Sequence, residues 1–274
     1  MITKKYLIYE NIVRGAGLGH TLSSYNYALN MAMNQKLRLI VPKTKLGHGL
    51  GNEFQFEVFF GLDKYSEQHV NDIITNHGPE LVRQEYFPVN NPCSGNFNET
   101  KIFFHTKYMQ SNKVNKYRSH IIKNKINIAV HIRRGDIVKN KSILSLHKDR
   151  ILPDQWFRQS LIKTMDLKGY NAENVNVNIY SELQGDGLYY NENSEPVDLK
   201  KVFNIDNCNF YLSVNMYECL YNMIEADIFI GGRNHGIPML ASLYRELFSR
   251  ESFLDASNER FIKQNNFTSS KIIE

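Results

Sequence analysis

The chain has 274 residues, 42% hydrophobic and 22% charged, which is enough for one large or two small domains with real cores and excludes a disordered or fibrous protein. Its net charge of +5 is dispersed rather than blocked, which suits an anionic ligand and speaks against nucleic acid as a partner. Three scattered cysteines, Cys93, Cys208 and Cys219, exclude a disulfide framework and fit a reducing compartment, and no apolar run is long enough for a signal peptide or a membrane span, so the expectation is a soluble, cytoplasmic protein.

In chain order, "YLIYENIV" (6–13) is an apolar run that meets the glycine cluster "RGAGLGH" (14–20). Leu22, Tyr25, Leu29 and Met33 then recur at helical spacing, and "LRLIVP" (37–42) is a short strand stopped by Pro42. Strand, glycine turn, helix and strand make a βαβ unit. Residues 43–60 read as loop and aromatic packing, and "KIFFHT" (101–106) as another strand. The basic stretch 113–125 marks the boundary between an N-terminal domain, 1–122, and a C-terminal domain, 123–274.

The second half alternates more clearly. "INIAVHI" (126–132), "VNVNIYSE" (175–182) and "DIFIGG" (227–232) read as strands. Between and after them, 152–166, 213–226 and 235–247 carry helical stripes, with Pro153 and Pro238 placed where helices start. Repeated strand–helix alternation predicts an α/β fold with a parallel, Rossmann-like sheet. Two such halves with a cleft between them is the simplest architecture.

Parallel sheets gather ligands beyond the carboxyl ends of their strands. The sequence places Gly17, Gly19 and His20 beyond the first strand, and His131, Arg133, Arg134 and Asp136 beyond the strand at 126–132. Glu182 follows the next strand, and Arg233, Asn234 and His235 follow the glycines of "DIFIGG". Arginine forks match phosphate oxygens, and a helix starting near His235 offers a positive dipole end. A phosphate-bearing ligand follows. Neighbouring strand residues face opposite ways, so only one of the two arginines faces it. The plainer alternatives are an arginine paired with Asp136, a satisfied half-buried His131, and a capping role for His235. The RGD tripeptide (134–136) ends a hydrophobic strand, which argues against an adhesion signal.

"VHIRRGD" (130–136) resembles the H-x-R-R-G-D motif of the fucosyltransferase superfamily that includes α-1,2-, α-1,6- and protein O-fucosyltransferases. "GAGLGH" (15–20), "NIYSE" (178–182) and "EADIFIGGRNHGIPMLASLY" (225–244) are similar to three further motifs of that superfamily, in the same order. The resemblance implies a GT-B-like glycosyltransferase whose C-terminal half holds the nucleotide sugar. It implies that Arg133 holds the donor β-phosphate, that His131 lies near the nucleoside, and that Arg134 and Asp136 support the loop. Asp206 falls where the family reads guanine, and Asn234 and His235 fall where family serines touch the diphosphate. The chain departs from the family in that "GGRNHG" replaces the serine-rich turn, His20 stands where relatives often carry asparagine, and "VKNKSIL" offers no counterpart to the glutamate base of some members.

The function expected is therefore an inverting, metal-independent glycosyltransferase that moves fucose from GDP-fucose to a glycan hydroxyl. Its partners are a nucleotide sugar and a glycan acceptor, and no separate cofactor is required. The chain has no Asp-x-Asp triplet to hold a metal. Arg133 would stabilise the leaving diphosphate, and His20, Asp136, Glu182 and His147 are the candidate bases, His20 first among them. Three alternatives remain: the same fold with another donor such as UDP-xylose, a non-catalytic nucleotide-sugar or glycan-binding module, and a dinucleotide oxidoreductase. The last requires an acidic residue about 20 residues after the glycine turn, where "KLRLIVPKTK" has none.

Overall fold

The computed structural model describes residues 5–10, 18–42, 53–62, 67–77, 82–86, 96–111, 113–138, 144–145, 148, 151–205, 207–233 and 236–273, with only the backbone of Glu10, His20, Glu53, Phe54, Glu67, His77, of 82–86 and of Asp136 among them. It is an α/β protein that divides into two compact units, Met1–Lys116 and Tyr117–Glu274.

In the first unit, β1 (Tyr6–Glu10) lies between β2 (Arg38–Ile40) and β3 (Val82–Tyr86), parallel to both. Helix α1 (Leu18–Asn34) connects β1 to β2. Helices α2 (Glu53–Phe60), α3 (Glu67–His77) and α4 (Lys101–Gln110) complete the unit. Two of these correct the sequence reading. The segment 43–60, expected as loop, contains α2, whose Phe56, Phe59 and Phe60 are fully buried. "KIFFHT" opens helix α4 rather than forming a strand: Phe104 and Tyr108, four residues apart, are the buried face. Thr100, just before α4, is tied by its hydroxyl to Asn26 of α1.

The second unit is one six-stranded parallel sheet built from β4 (Ile126–His131), β5 (Val175–Ser181), β6 (Cys208–Leu212), β7 (Ile228–Gly231), β8 (Glu251–Leu254) and β9 (Ser270–Ile272). Their spatial order is β6-β5-β4-β7-β8-β9. Counted within the unit this is 3-2-1-4-5-6, the doubly wound order, and its switch point lies between β4 and β7. Helices α5 (Asp154–Lys168), α6 (Leu199–Phe203), α7 (Met216–Glu225), α8 (Gly236–Glu246) and α9 (Glu259–Gln264) connect the strands.

Local chemistry sets the ends of these helices. The Asn215 side chain accepts from the Tyr217 amide at the start of α7. Gly169, at φ 67°, ends α5, and the Tyr170 amide reaches back to the Met165 carbonyl.

The two faces of the sheet are covered differently. On one face, Ile128, Val130, Val177, Ile179, Ile228 and Ile230 pack with Phe157 and Leu161 of α5 and Phe203 of α6. On the other, β5 presents Asn176 and Asn178, both buried. The backbone of 117–122 crosses this polar face, and asparagine side chains satisfy it. The His120 amide donates to Asn222 Oδ1 (2.6 Å), and the His120 carbonyl accepts from Asn176 and Asn178 (3.0 and 3.2 Å). Asn127 bonds both the amide and the carbonyl of Ile122 (2.8 and 3.1 Å). These bonds assign 117–122 to the second unit, ahead of the expected break at 122/123.

Arg245 of α8 is fully buried and donates to the carbonyls of Met223 (2.8 Å), Ile224 (3.2 Å), Ala226 (2.6 Å), Asp227 (2.9 Å) and Glu251 (2.5 Å). It neutralises the carboxyl end of α7 and joins it to β8. Burial lowers its pKa to about 9, so it remains charged at neutral pH. Arg245→Met strands these carbonyls and is expected to cost roughly 3–5 kcal/mol, read as a lower urea midpoint at pH 7.

Candidate functional site

β4 is buried on both faces, as a central parallel strand must be, and it ends at His131. There His131 pairs in register with Tyr180 of β5 and Gly231 of β7, at the switch point. Ile132 extends the ladder by one bond, donating its amide to the Tyr180 carbonyl (2.9 Å), while Ser181 Oγ donates to the Ile132 carbonyl (2.9 Å). The chain then turns at Gly135, with φ +48°.

The two arginines after the strand separate. Arg133 Nη1 donates to Glu182 Oε2 at 2.8 Å, with 26% of the arginine side chain and 32% of the glutamate side chain exposed. Arg134 is fully buried. It donates to its neighbour's carbonyl at Arg133 (2.9 Å), to the Leu152 carbonyl (2.9 Å) and to the Asp154 carboxylate, with Glu192 at 3.6 Å. Tyr189 Oη donates to the same Asp154 oxygen. Arg134 is thus an internal brace joining the end of β4 to the start of α5. Of the two arginines expected beyond this strand, both of them candidates for the donor, Arg134 is the one with no exposed surface, and a side chain so enclosed does not reach a ligand. Its carboxylate partner among the described side chains is Asp154, twenty residues on.

Gly135 fits its site for two reasons. Its φ is positive, and a Cβ there would lie 1.5 Å from Glu182 Oε2 and 3.1 Å from Arg133 Nη1. The glycine therefore gives the glutamate room to reach the arginine. Gln184 Nε2 donates to the Gly135 carbonyl, so the loops after β4 and β5 are laced together. Sequence reasoning missed Gln184 and Asp154; the Pro153–Asp154 helix start was a signal for the second.

His131 is buried. Burial first, and the Arg133 charge second, lower its imidazole pKa to about 3. It is therefore a neutral ring at physiological pH, suited to hydrogen bonding and not to holding an anion by charge.

The glycines after β7 have a packing role. A Cβ on Gly231 would meet Leu254, Phe229 and Pro238 at 2.9–3.0 Å, and one on Gly232 would meet Phe157 at 2.9 Å. They let α8 and α5 approach the sheet. Half-buried Arg233 follows them at the same edge as Arg133, and α8 begins at Gly236.

In the first unit, Gly19 and His20 belong to the first turn of α1 and not to a loop before it. Gly17, His147, Asp206, Asn234 and His235 lie outside the described residues. The neighbour of Asp206, Asn207, bonds at the amino end of the sheet: its carbonyl accepts from the Val177 amide, and its side chain donates to the Ala172 carbonyl. Arg133 and Glu182 sit at the carboxyl end. Among the described residues, no group of three or more His, Cys, Asp or Glu side chains is placed to hold a metal ion.

No family model and no curated protein matches the sequence. Among solved structures, the chain is similar to POFUT1 in complex with GDP, at 12% identity and TM-score 0.47, over 90% of this chain and 95% of that one. It is also similar to POFUT1 in complex with GDP-fucose, at 10% identity and TM-score 0.40, over 100% and 98%. WaaG, a glycosyltransferase involved in lipopolysaccharide biosynthesis, aligns at 11% identity and TM-score 0.29, over 96% and 71%.

The unequal arginines predict unequal variants. Arg134→Met leaves Asp154 buried without its cation and is expected to cost roughly 3–5 kcal/mol. Arg133→Ala breaks a part-exposed pair and is expected to cost within about 1 kcal/mol. Urea denaturation of both variants at pH 7 reads the difference; equal losses would refute the division.

His131 makes stability depend on pH. The unfolded chain protonates this residue near 6.5, whereas the folded chain does so only near 3. Its contribution is complete above pH 6.5 and falls by about 1.4 kcal/mol per pH unit on acidification toward 3. His131→Gln is expected to flatten the pH dependence of the urea midpoint between pH 6.5 and 4 by one proton's worth.

Proposed function

We propose that the chain is a glycosyltransferase that moves a sugar from a nucleotide diphosphate donor, GDP-fucose in the leading reading, to a glycan hydroxyl with inversion and without a metal. The observation that carries this is Arg133. It projects from the carboxyl end of the first strand of a 3-2-1-4-5-6 sheet, held by Glu182 over Gly135, inside the segment that resembles the H-x-R-R-G-D motif.

As the bond from sugar to diphosphate breaks, negative charge builds on the leaving phosphate. An arginine already fixed in place stabilises that charge without reorganising. Glu182 holds Nη1, and 26% of the arginine side chain stays exposed to solvent. Arg233 and the amino end of α8 add positive potential at the same edge of the sheet. Loss of a preorganised donor of this kind typically raises the barrier by about 3–4 kcal/mol. Of the candidate bases, Glu182 is already committed to Arg133, Asp136 shares the turn with Arg133 and His20 belongs to α1. The pH–rate profiles of Asp136→Asn and His20→Gln separate the latter two.

A thermal-shift panel of GDP, UDP and their sugar conjugates tests the reading. Ligand at about 100 times its Kd stabilises the folded state by about 2.7 kcal/mol, so a clear rise in Tm is expected with GDP and GDP-fucose and is lost in Arg133→Ala. A rise with UDP compounds alone moves the donor assignment to UDP. Binding without transfer to any glycan acceptor identifies a binding module, and no shift with any nucleotide removes the proposal. An inverted anomeric centre in the product is expected by NMR; retention would overturn the single-displacement mechanism.

A further inference from the structure

Beyond Glu182 the loop after β5 carries Leu183 and Tyr189, which pack on the core of the sheet, and Leu188, which does not. Leu188 is 48% exposed. With Leu183, Phe210, Leu212 and Tyr189 it lines a pocket of about 430 Å3, with Lys200 also in its wall. That volume lies within the range of small-ligand sites. The pocket wall is held in place. The Leu183 amide donates to Ser213 Oγ (2.8 Å), the Gln184 amide to the Leu188 carbonyl (2.9 Å), and the Leu188 amide to Asp186 Oδ1 (3.0 Å).

Glu182 stands between this pocket and Arg133. Its Oε2 is taken by Arg133, and among the described residues its Oε1 has no hydrogen-bond partner. It is also the first residue after the second strand of a 3-2-1-4-5-6 sheet, where doubly wound folds carry a carboxylate that accepts from ribose hydroxyls. Three features thus follow one another across the carboxyl ends of β4, β5 and β6: a cation, an open carboxylate oxygen, and a largely apolar pocket with Asp198 and Lys200 in its wall.

We infer that the nucleoside half of the donor lies across β5 and β6, with its ribose hydroxyls on Glu182 and its base in the pocket lined by Leu183, Leu188, Phe210 and Leu212. This rests on the nucleotide-sugar reading above and moves base recognition away from Asp206. One side chain then serves two groups, Oε2 aiming Arg133 at the diphosphate and Oε1 selecting a ribonucleotide.

The test compares binding of GDP, UDP, their 2′,3′-dideoxy counterparts and inorganic diphosphate by calorimetry. Wild type is expected to bind the ribonucleotide roughly 10- to 100-fold more tightly than its dideoxy form, the worth of hydrogen bonds to a charged group. In Glu182→Ala that ratio is expected to fall to within about 3-fold. If the alanine variant does not fold, Glu182→Gln keeps an oxygen for Arg133 and is expected to lower the ratio in the same direction. Leu188→Asp, at an exposed position, is expected to weaken the nucleotide about 10-fold and to leave inorganic diphosphate unchanged. Equal wild-type affinity for ribo and dideoxy forms, an unchanged ratio in the Glu182 variant, or no effect of Leu188→Asp overturns the inference while the nucleotide reading stands. Failure of the wild type to bind any of these nucleotides removes both.

Discussion

Arg134 places a full charge where no water reaches it, at the end of the central strand. Such a charge is tolerated only when it is paired and hydrogen-bonded. Here two backbone carbonyls and the Asp154 carboxylate accept from the two terminal nitrogens, while Nε has no partner among the described residues. One acceptor is the carbonyl of Arg133 itself, so the brace holds the peptide from which the exposed guanidinium grows. With Arg134 turned inward and Gly135 reversing the chain, Arg133 has one direction left, out past the sheet edge toward Glu182. A lysine at 134 could not bond three separate acceptors in the plane of a fork. The adjacent arginines therefore differ in role, one bracing the loop and the other paired with Glu182 at a part-exposed position.

The sheet that presents this loop needs a cover on both faces. The apolar face takes α5 and α6. The other uses asparagines as though they were a neighbouring strand, bonding the amides and carbonyls of 117–122 one by one. His120 adds an aromatic component, its ring stacked 3.7 Å from Tyr211 and its Nδ1 3.0 Å from Tyr180 Oη. Burial lowers its pKa, with Glu218 opposing and Arg118 assisting. Tyr180 is the register partner of His131, so the cover over the polar face and the strand end that carries the site share one side chain.

This cover explains what the sequence misstates. "VNVNIYS" alternates like a strand with one wet face, yet every residue of it is buried, because the second face is dry and hydrogen-bonded rather than solvated. Periodicity reports polarity, and burial follows only when water is the sole available partner. The strong βα alternation of 126–182 and 216–246 was legible for the same reason: buried central strands and amphipathic helices carry their pattern within a few residues. The strand "VRQEY" at the edge of the small sheet, the four-residue strand after Arg250 and the three-residue strand that follows "NNFT" carry too little pattern to read. "KIFFHT" misleads because three apolar residues fit either period until Tyr108 settles the matter. At the site, the residue types were legible and the partners were not. Arg133 finds its acid 49 positions away and Arg134 finds its own 20 away, distances set by the sheet order rather than by local spacing.

Holding Arg133 with a carboxylate has a consequence for the reaction proposed. The pair is neutral in sum, so a diphosphate arriving at Arg133 meets a cation already compensated on one side. Attraction is weaker than for a bare guanidinium, while its orientation is better defined. Transition-state stabilisation depends on the second property, because charge on the leaving phosphate grows only as the bond breaks and a fixed fork answers it without moving. Ground-state binding depends more on the first, and so does retention of the spent nucleoside diphosphate. A cation tempered by Glu182 thus favours the transition state over both the donor and the product. Tighter binding of all three alike would lower KM without raising kcat.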